Sequence, residues 1–198
     1  MRAFAALLLL LGFCGTARAG AQVYEPLADN VRSAMSAAVS DRSVPYLDFR
    51  NPEDARRWLN EMSSRLARRV PDRWVRTELL KAVHHEAMRA GLDPQLVLGL
   101  MDVESGFRKY AISSAGARGY MQVMPFWVKL VGKPDHDLFH MRLNIRYGCV
   151  ILRYYLDLEK GDYFRALGRY NGSLGRPEYP NLVLAAWKGR WAYAGPTH

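Results

Sequence analysis

Glu104 is a carboxylate placed to work as a sheltered acid. It closes an apolar stretch containing Leu96, Val97, Leu100, Met101 and Val103, and Ser105, Gly106 and Phe107 follow it. A carboxylic acid delivers a proton near neutral pH only when its pKa is raised, chiefly by apolar surroundings. No other acid occurs between Glu104 and Gln122. What fills that interval is material for a ligand cleft: Ala111, Ile112 and Ser113, then the unbroken run Gly116, Ala117, Arg118, Gly119, Tyr120, Met121, Gln122, Val123, Met124, Pro125. Gly116 and Gly119 let backbone come close to a ligand. Met121 and Met124 are soft apolar walls. Gln122 both donates and accepts hydrogen bonds, as an amido sugar requires, and Ser113 adds a short polar contact. Together they suit proton delivery to the bridging oxygen of a sugar polymer.

Other chemistry-bearing residues lead nowhere comparable. His84, His85 and Glu86 begin like a zinc motif, but Arg89 stands where the second histidine belongs, so no metal is expected and the group reads as a helix surface. Cys149 lies in an apolar helical run and reads as a small buried hydrophobe rather than a nucleophile. No phosphate loop or dinucleotide fingerprint occurs, and no cofactor is expected.

Helical periodicity dominates the chain and strand-like alternation is scarce, which predicts an all-α or mostly α fold. Residues 20–50 hold a short helix of small residues over 31–39 and no deep core. Asn51, Pro52, Glu53 and Asp54 make a helix start, with a capping side chain, a first-turn proline and acids near the positive end of the dipole. That helix runs to about residue 69, with Trp58, Met62 and Leu66 on one face. Its Arg56, Arg57, Arg65, Arg68 and Arg69 form either a solvated face or a docking surface for a cell-envelope protein partner. Further helices are predicted over 71–90, 93–104, 125–131, 143–159, 162–168 and 178–193, with Tyr170, Asn171 and Gly172 as a turn. The helix ending at Glu104 is apolar on more than one face, so it belongs at the centre of the domain. Asp102, two residues before the acid, points elsewhere on such a helix.

The blocks from Glu104 to Pro125 resemble the E-S-x-F, A-x-S, G-A-x-G-x-M-Q-x-M-P signature of the soluble lytic transglycosylase family, lysozyme-like enzymes that cleave bacterial peptidoglycan. Asn144, Ile145 and Gly148 are similar to its N-I-x-x-G helix start, with Ile151 where a tyrosine is common. Ala166, Tyr170 and Asn171 are similar to its A-x-x-x-Y-N block. Gly172, Ser173, Leu174 and Gly175 depart from the usual pattern, and Tyr179, Pro180 and Val183 recover its end. The resemblance covers about residues 75–190.

It implies a lysozyme-like catalytic domain over 71–198, preceded by a helical extension over 20–70, with peptidoglycan glycan strands as the partner and no nucleic acid. It implies Glu104 as the catalytic residue, and Ser113, Met121, Gln122, Tyr170 and Asn171 as substrate-binding. The family's tyrosine reaches the catalytic acid and the substrate, and that role passes to Tyr170. The implied reaction uses one carboxylate twice, as acid and then as base, and leaves a 1,6-anhydromuramyl end. A hydrolytic muramidase of the same fold, or a non-catalytic peptidoglycan-binding scaffold, remains the alternative. Glu178, Asp135 and Asp137 are acids that loops bring within reach if hydrolysis is the outcome.

The 198 residues, 49% of them apolar, suffice for one domain with a real core. Met1 and Arg2, the apolar residues 3–13 and the small residues Ala17 and Ala19 make an N-terminal export signal over 1–19, with cleavage before Gly20 and a periplasmic destination. The apolar run is too short for a comfortable membrane span. Phe13 precedes Cys14 where a lipoprotein signal requires a small residue. Losing Arg2 and Arg18 would take the formal charge from +9 to +7, suited to an anionic polymer.

Overall fold

A computed structural model describes residues 22–41 and 43–195. The expected export signal lies outside the described residues. Those residues form eight helices and no strand: α1 Asp29–Ser40, α2 Pro52–Leu66, α3 Arg73–Arg89, α4 Pro94–Glu104, α5 Phe126–Val131, α6 Met141–Leu158, α7 Tyr163–Asn171 and α8 Glu178–Lys188. None of them is long and apolar enough to cross a membrane.

Side-chain caps set most helix starts. Asn51 accepts from the Asp54 N–H at 2.9 Å, Asp72 from Val75 at 2.9 Å, Asp93 from Gln95 at 2.7 Å and Asp162 from Arg165 at 3.0 Å. Each such bond satisfies a donor that the first helical turn leaves without an internal partner. Pro52 and Pro94 occupy first-turn positions, where their missing N–H costs nothing.

α4 is the central helix, buried from Pro94 through Met101. Gly99 explains how closely α8 lies on it: a Cβ there would sit 2.9 Å from the Trp187 backbone nitrogen. The same face of α8 meets the end of α4 through Tyr179, so the two helices run antiparallel. This pairing puts the first turn of α8 beside the last turn of α4, where Glu104 sits.

The segment before residue 70 shares this core. Trp58, Met62 and Leu66 are fully buried, each contributing about 2 kcal/mol of apolar burial. Met35 and Val39 of α1 and the side chain of Gln22 are also buried, which corrects the expectation that residues 20–50 carry no deep core. The arginines of α2 are paired within the helix, Arg56 with Glu53, Arg57 with Asp54 and Arg65 with Glu61, while Arg69, just past its end, pairs with Asp102 of α4 at 3.1 Å.

Two helix ends differ from expectation. α7 continues through Tyr170 and Asn171 and stops at Gly172, whose φ of +75° suits a left-handed cap. α8 ends at Lys188, and Trp191 turns back to bury its ring 5.2 Å from that of Phe107. His84 and His85 are buried rather than on a helix surface. His84 stacks on Phe49, with ring centroids 4.7 Å apart, and Glu86 binds Arg89, Arg142 and Arg146.

Candidate active site

Glu104 is the last residue of α4 and only 5% exposed. Its Oε1 accepts a hydrogen bond from the Tyr179 hydroxyl at 2.5 Å, while its Oε2 is buried with no hydrogen-bond partner. Burial pushes the carboxyl from its ordinary 4.5 up to about 8, and the Tyr179 bond opposes that rise. The negative end of the α4 dipole adds to the cost of ionising it. At neutral pH Glu104 therefore carries a proton that it can give away.

The turn after Glu104 is sharply bent. Gly106 and Phe107 both have positive φ, +57° and +63°. At Gly106 the positive φ is what favours glycine, since the one atom a Cβ would meet, at 2.8 Å, is the tip of the flexible Arg69 side chain. A left-handed phenylalanine is uncommon and costs energy, which here is held by packing against Trp191. The Ser105 hydroxyl donates to the Tyr120 carbonyl at 2.7 Å, tying the acid's neighbour to the loop opposite. Behind the turn, Asp102 is held by Arg69, Arg190 and the Trp191 indole, so it points away from Glu104.

The loop opposite is built on Asn144. This fully buried side chain accepts from the Met121 N–H at 2.8 Å and donates to the Arg118 and Leu138 carbonyls at 2.8 and 2.9 Å. Gly119, at φ +76°, passes so close that a Cβ would lie 2.5 Å from the Asn144 amide. A Cβ on Gly148 would strike the Met121 sulfur at 2.3 Å, so the glycine of the N-I-x-x-G block makes room for the methionine of the loop.

The residues expected to bind substrate fall into two groups. Ser113 lies half-buried on the loop, its hydroxyl accepting from the Ala117 N–H at 3.1 Å, and Asn171 closes α7 with 8% of its surface exposed. Met121, Gln122 and Tyr170 are buried, and their polar groups are engaged by the protein. The Gln122 amide nitrogen donates to the Gly119 and Ala111 carbonyls at 2.9 and 3.2 Å, and its backbone has a φ of +50°. The Tyr170 hydroxyl donates to the Met121 carbonyl at 2.7 Å. Tyr170 is near enough to Glu104 for that charge, after burial, to push its hydroxyl upward. Its single proton is committed to Met121, however, so the hydroxyl that binds the acid belongs to Tyr179. Tyr179 was not among the residues expected to contact the acid. The available signal for Tyr179 was its position at the end of the family pattern. Nothing in the sequence marked Ser105 or Asn144 as the joints of the loop beyond their motif letters.

A sequence model of the transglycosylase SLT domain matches residues 81–179. Membrane-bound lytic murein transglycosylase C of Actinobacillus pleuropneumoniae serotype 5b is 50% identical over 48 residues, which are 24% of this chain and 13% of the relative. The protein of the same description from Glaesserella parasuis is 40% identical over 82 residues, 37% of this chain and 22% of the relative. The chain thus matches less than a quarter of the length of these curated relatives. Among solved structures, an inactive mutant of the lytic transglycosylase Slt from Pseudomonas aeruginosa gives a TM-score of 0.44 at 24% identity, over 54% of this chain and 20% of that one. The 70 kDa soluble lytic transglycosylase of Escherichia coli gives 0.44 at 20% identity, over 80% of this chain and 27% of that one.

Proposed function

The chain belongs to the transglycosylase SLT domain family, and from that premise we propose that it is a lytic murein transglycosylase of the cell envelope with Glu104 as its acid and base. One observation carries the reading: the Glu104 carboxyl is buried, held at Oε1 by Tyr179 and unpartnered at Oε2, and that burial pushes its pKa up to about 8.

The protonated Glu104 gives its proton to the oxygen joining C1 of N-acetylmuramic acid to the next N-acetylglucosamine. The bond from C1 to that oxygen breaks, and the sugar's own acetamido oxygen stabilises the charge left at C1. The Glu104 carboxylate then takes the proton of the muramic C6 hydroxyl, whose oxygen bonds to C1. A 1,6-anhydromuramyl end forms, no water is consumed, and Glu104 is protonated again. A carboxylate costly to ionise in place is a strong base once ionised, so the same burial serves both steps.

A conventional glycoside hydrolase needs a second carboxylate roughly 5–9 Å away. Asp102, the carboxylate nearest to Glu104 in sequence, is held behind the turn by Arg69, Arg190 and the Trp191 indole and does not serve as that second group. That supports the one-acid route. In this proposal Ser113 and Asn171 offer polar contacts to the glycan, while Met121, Gln122 and Tyr170 hold the wall it lies against. A periplasmic location, after removal of residues 1–19, belongs to the same reading.

Digestion of purified peptidoglycan sacculi, with mass spectrometry of the released fragments, tests it. Anhydromuramyl ends from the wild type and none from Glu104→Gln are expected. Reducing muramic ends would make the protein a muramidase, and binding without release would make it a scaffold.

A further inference from the structure

Every backbone N–H and C=O of residues 121–124 has a partner. Met121 is held at its N–H by Asn144 and at its C=O by Tyr170. The Gln122 N–H donates to the Gly119 carbonyl, Val123 exchanges both bonds with Arg118, and the Met124 C=O accepts from Trp127. The two groups that remain are satisfied from far away in the chain. The Gln22 side-chain nitrogen donates to the Gln122 carbonyl at 3.3 Å, and its oxygen accepts from the Met124 N–H at 3.1 Å. That oxygen also accepts from the Trp127 indole at 3.0 Å.

Gln22 lies 100 residues before Gln122 and outside the family match at 81–179. Its side chain is 4% exposed. The strap it belongs to continues with Tyr24, edge-on to Phe126, and Glu25, paired with Arg169 one residue before Tyr170. We propose that Gln22 is a positioning residue for the reaction: it clasps the loop of residues 121–124 in the geometry that Glu104 works against. This rests on the transglycosylase reading of the same site.

Two reasons give the clasp consequences. Gln122 has a left-handed backbone that a non-glycine residue adopts only when its surroundings enforce it. The same loop is coupled to the acid from both sides, through Ser105 on Tyr120 and Tyr170 on Met121. Without the Gln22 amide, the Gln122 carbonyl, the Met124 N–H and the Trp127 indole N–H lose their partners together. Loops that lose such partners shift to find others, and a displacement of about 1 Å near reacting groups costs up to about a hundredfold in rate.

Gln22→Met keeps the volume and removes these three bonds together with the Gln22 hydrogen bond to the Tyr170 hydroxyl. In 15N-correlated spectra the Trp127 indole and Met124 amide resonances are expected to shift. The kcat on sacculi should fall about tenfold or more, with KM within about twofold. Unmoved resonances would show that the clasp does not exist, and moved resonances with an unchanged kcat would remove its role in positioning. If the variant does not fold, hydrogen exchange of the wild type still decides: both N–H groups must be protected, and free exchange at either overturns the proposal. These spectroscopic readouts stand even if the wild type releases no anhydromuramyl fragments, so failure of the clasp and failure of the activity are told apart.

Discussion

The Tyr179 hydroxyl and the Glu104 carboxyl meet at 2.5 Å although 75 residues separate them. The contact follows from helix packing. Gly99 lets α8 lie against α4 backbone to backbone, and the antiparallel pairing then delivers Tyr179 to the end of α4. The hydroxyl donates to an oxygen that burial would otherwise leave unpaired, as it leaves Oε2.

Removing this donor has a predictable sign. The Tyr179 bond lowers the Glu104 pKa, so Tyr179→Phe raises it above its value of about 8. The alkaline limb of the pH–rate profile, where the acid loses its proton, should move up by about half a unit to one unit. The maximal rate should fall roughly tenfold, because the carboxyl loses the contact that orients it. Initial rates on sacculi between pH 5 and 10 check both. A profile that moves to lower pH would contradict the assignment.

Glu104 itself should weaken the fold as pH rises. Its folded pKa, about 8, is above the ordinary 4.5 of an unfolded chain. Across that window the unfolded state releases a proton that the folded state keeps, so stability falls with rising pH and levels off above it. Glu104→Gln cannot titrate and lacks this slope. Between pH 5 and pH 8 the variant should gain up to about 4 kcal/mol relative to wild type. Urea midpoints at the two values measure the gain, and parallel pH dependence in both proteins would mean that the carboxyl is not sheltered.

The helix pairing that brings the acid to its partner can be tested from its middle. A Cβ at residue 99 would stand 2.9 Å from the Trp187 nitrogen and 3.3 Å from the Val183 carbonyl, both backbone atoms that cannot rotate aside. Gly99→Ala therefore pushes α8 off α4. Alanine recovers about 1 kcal/mol of helix propensity, whereas overpacking costs about 1–3 kcal/mol. The net expectation is a melting temperature lower by about 2–6 °C. A loss of activity larger than that of other variants of equal stability is also expected, because Tyr179 moves with the helix. Equal melting temperature and equal rate would show that α8 is not seated as described.

The acid and its loop were legible in the sequence because the motif is local: Glu104, the glycines at 106, 116 and 119, and the residues 121–125 lie within one stretch of chain. Helix existence followed from caps and periodicity, so all eight described helices start within about two residues of expectation. What stayed hidden depends on long-range packing. Tyr179 and Tyr170 are both tyrosines in matching blocks, and only the seating of α8 decides which hydroxyl meets the acid. Gln22 sits in a weakly patterned segment, and the Gln122 carbonyl, the Met124 N–H and the Trp127 indole that it binds are groups no side-chain pattern announces. The burial of His84 and His85 is hidden because nothing local reveals that Ser43, Tyr46, Asp48 and Phe49 cover α3.

The same covering segment supplies a stability test distant from the acid. Glu86 is buried and accepts from Arg89 at 2.7 Å and Arg146 at 2.9 Å, with Arg142 at 3.3 Å. Arg146, itself only 7% exposed, passes the connection on to the Val39 and Asp41 carbonyls at the end of α1. Glu86→Gln leaves the buried Arg146 charge without its counter-charge, a loss of about 3–5 kcal/mol. The cost should fall first on α1, which this cluster fastens to α3 and α6. Hydrogen exchange should therefore show the amides of α1 losing protection in the variant while those of α4 keep theirs. Uniform loss across both helices would mean that Glu86 supports the whole core rather than the attachment of α1.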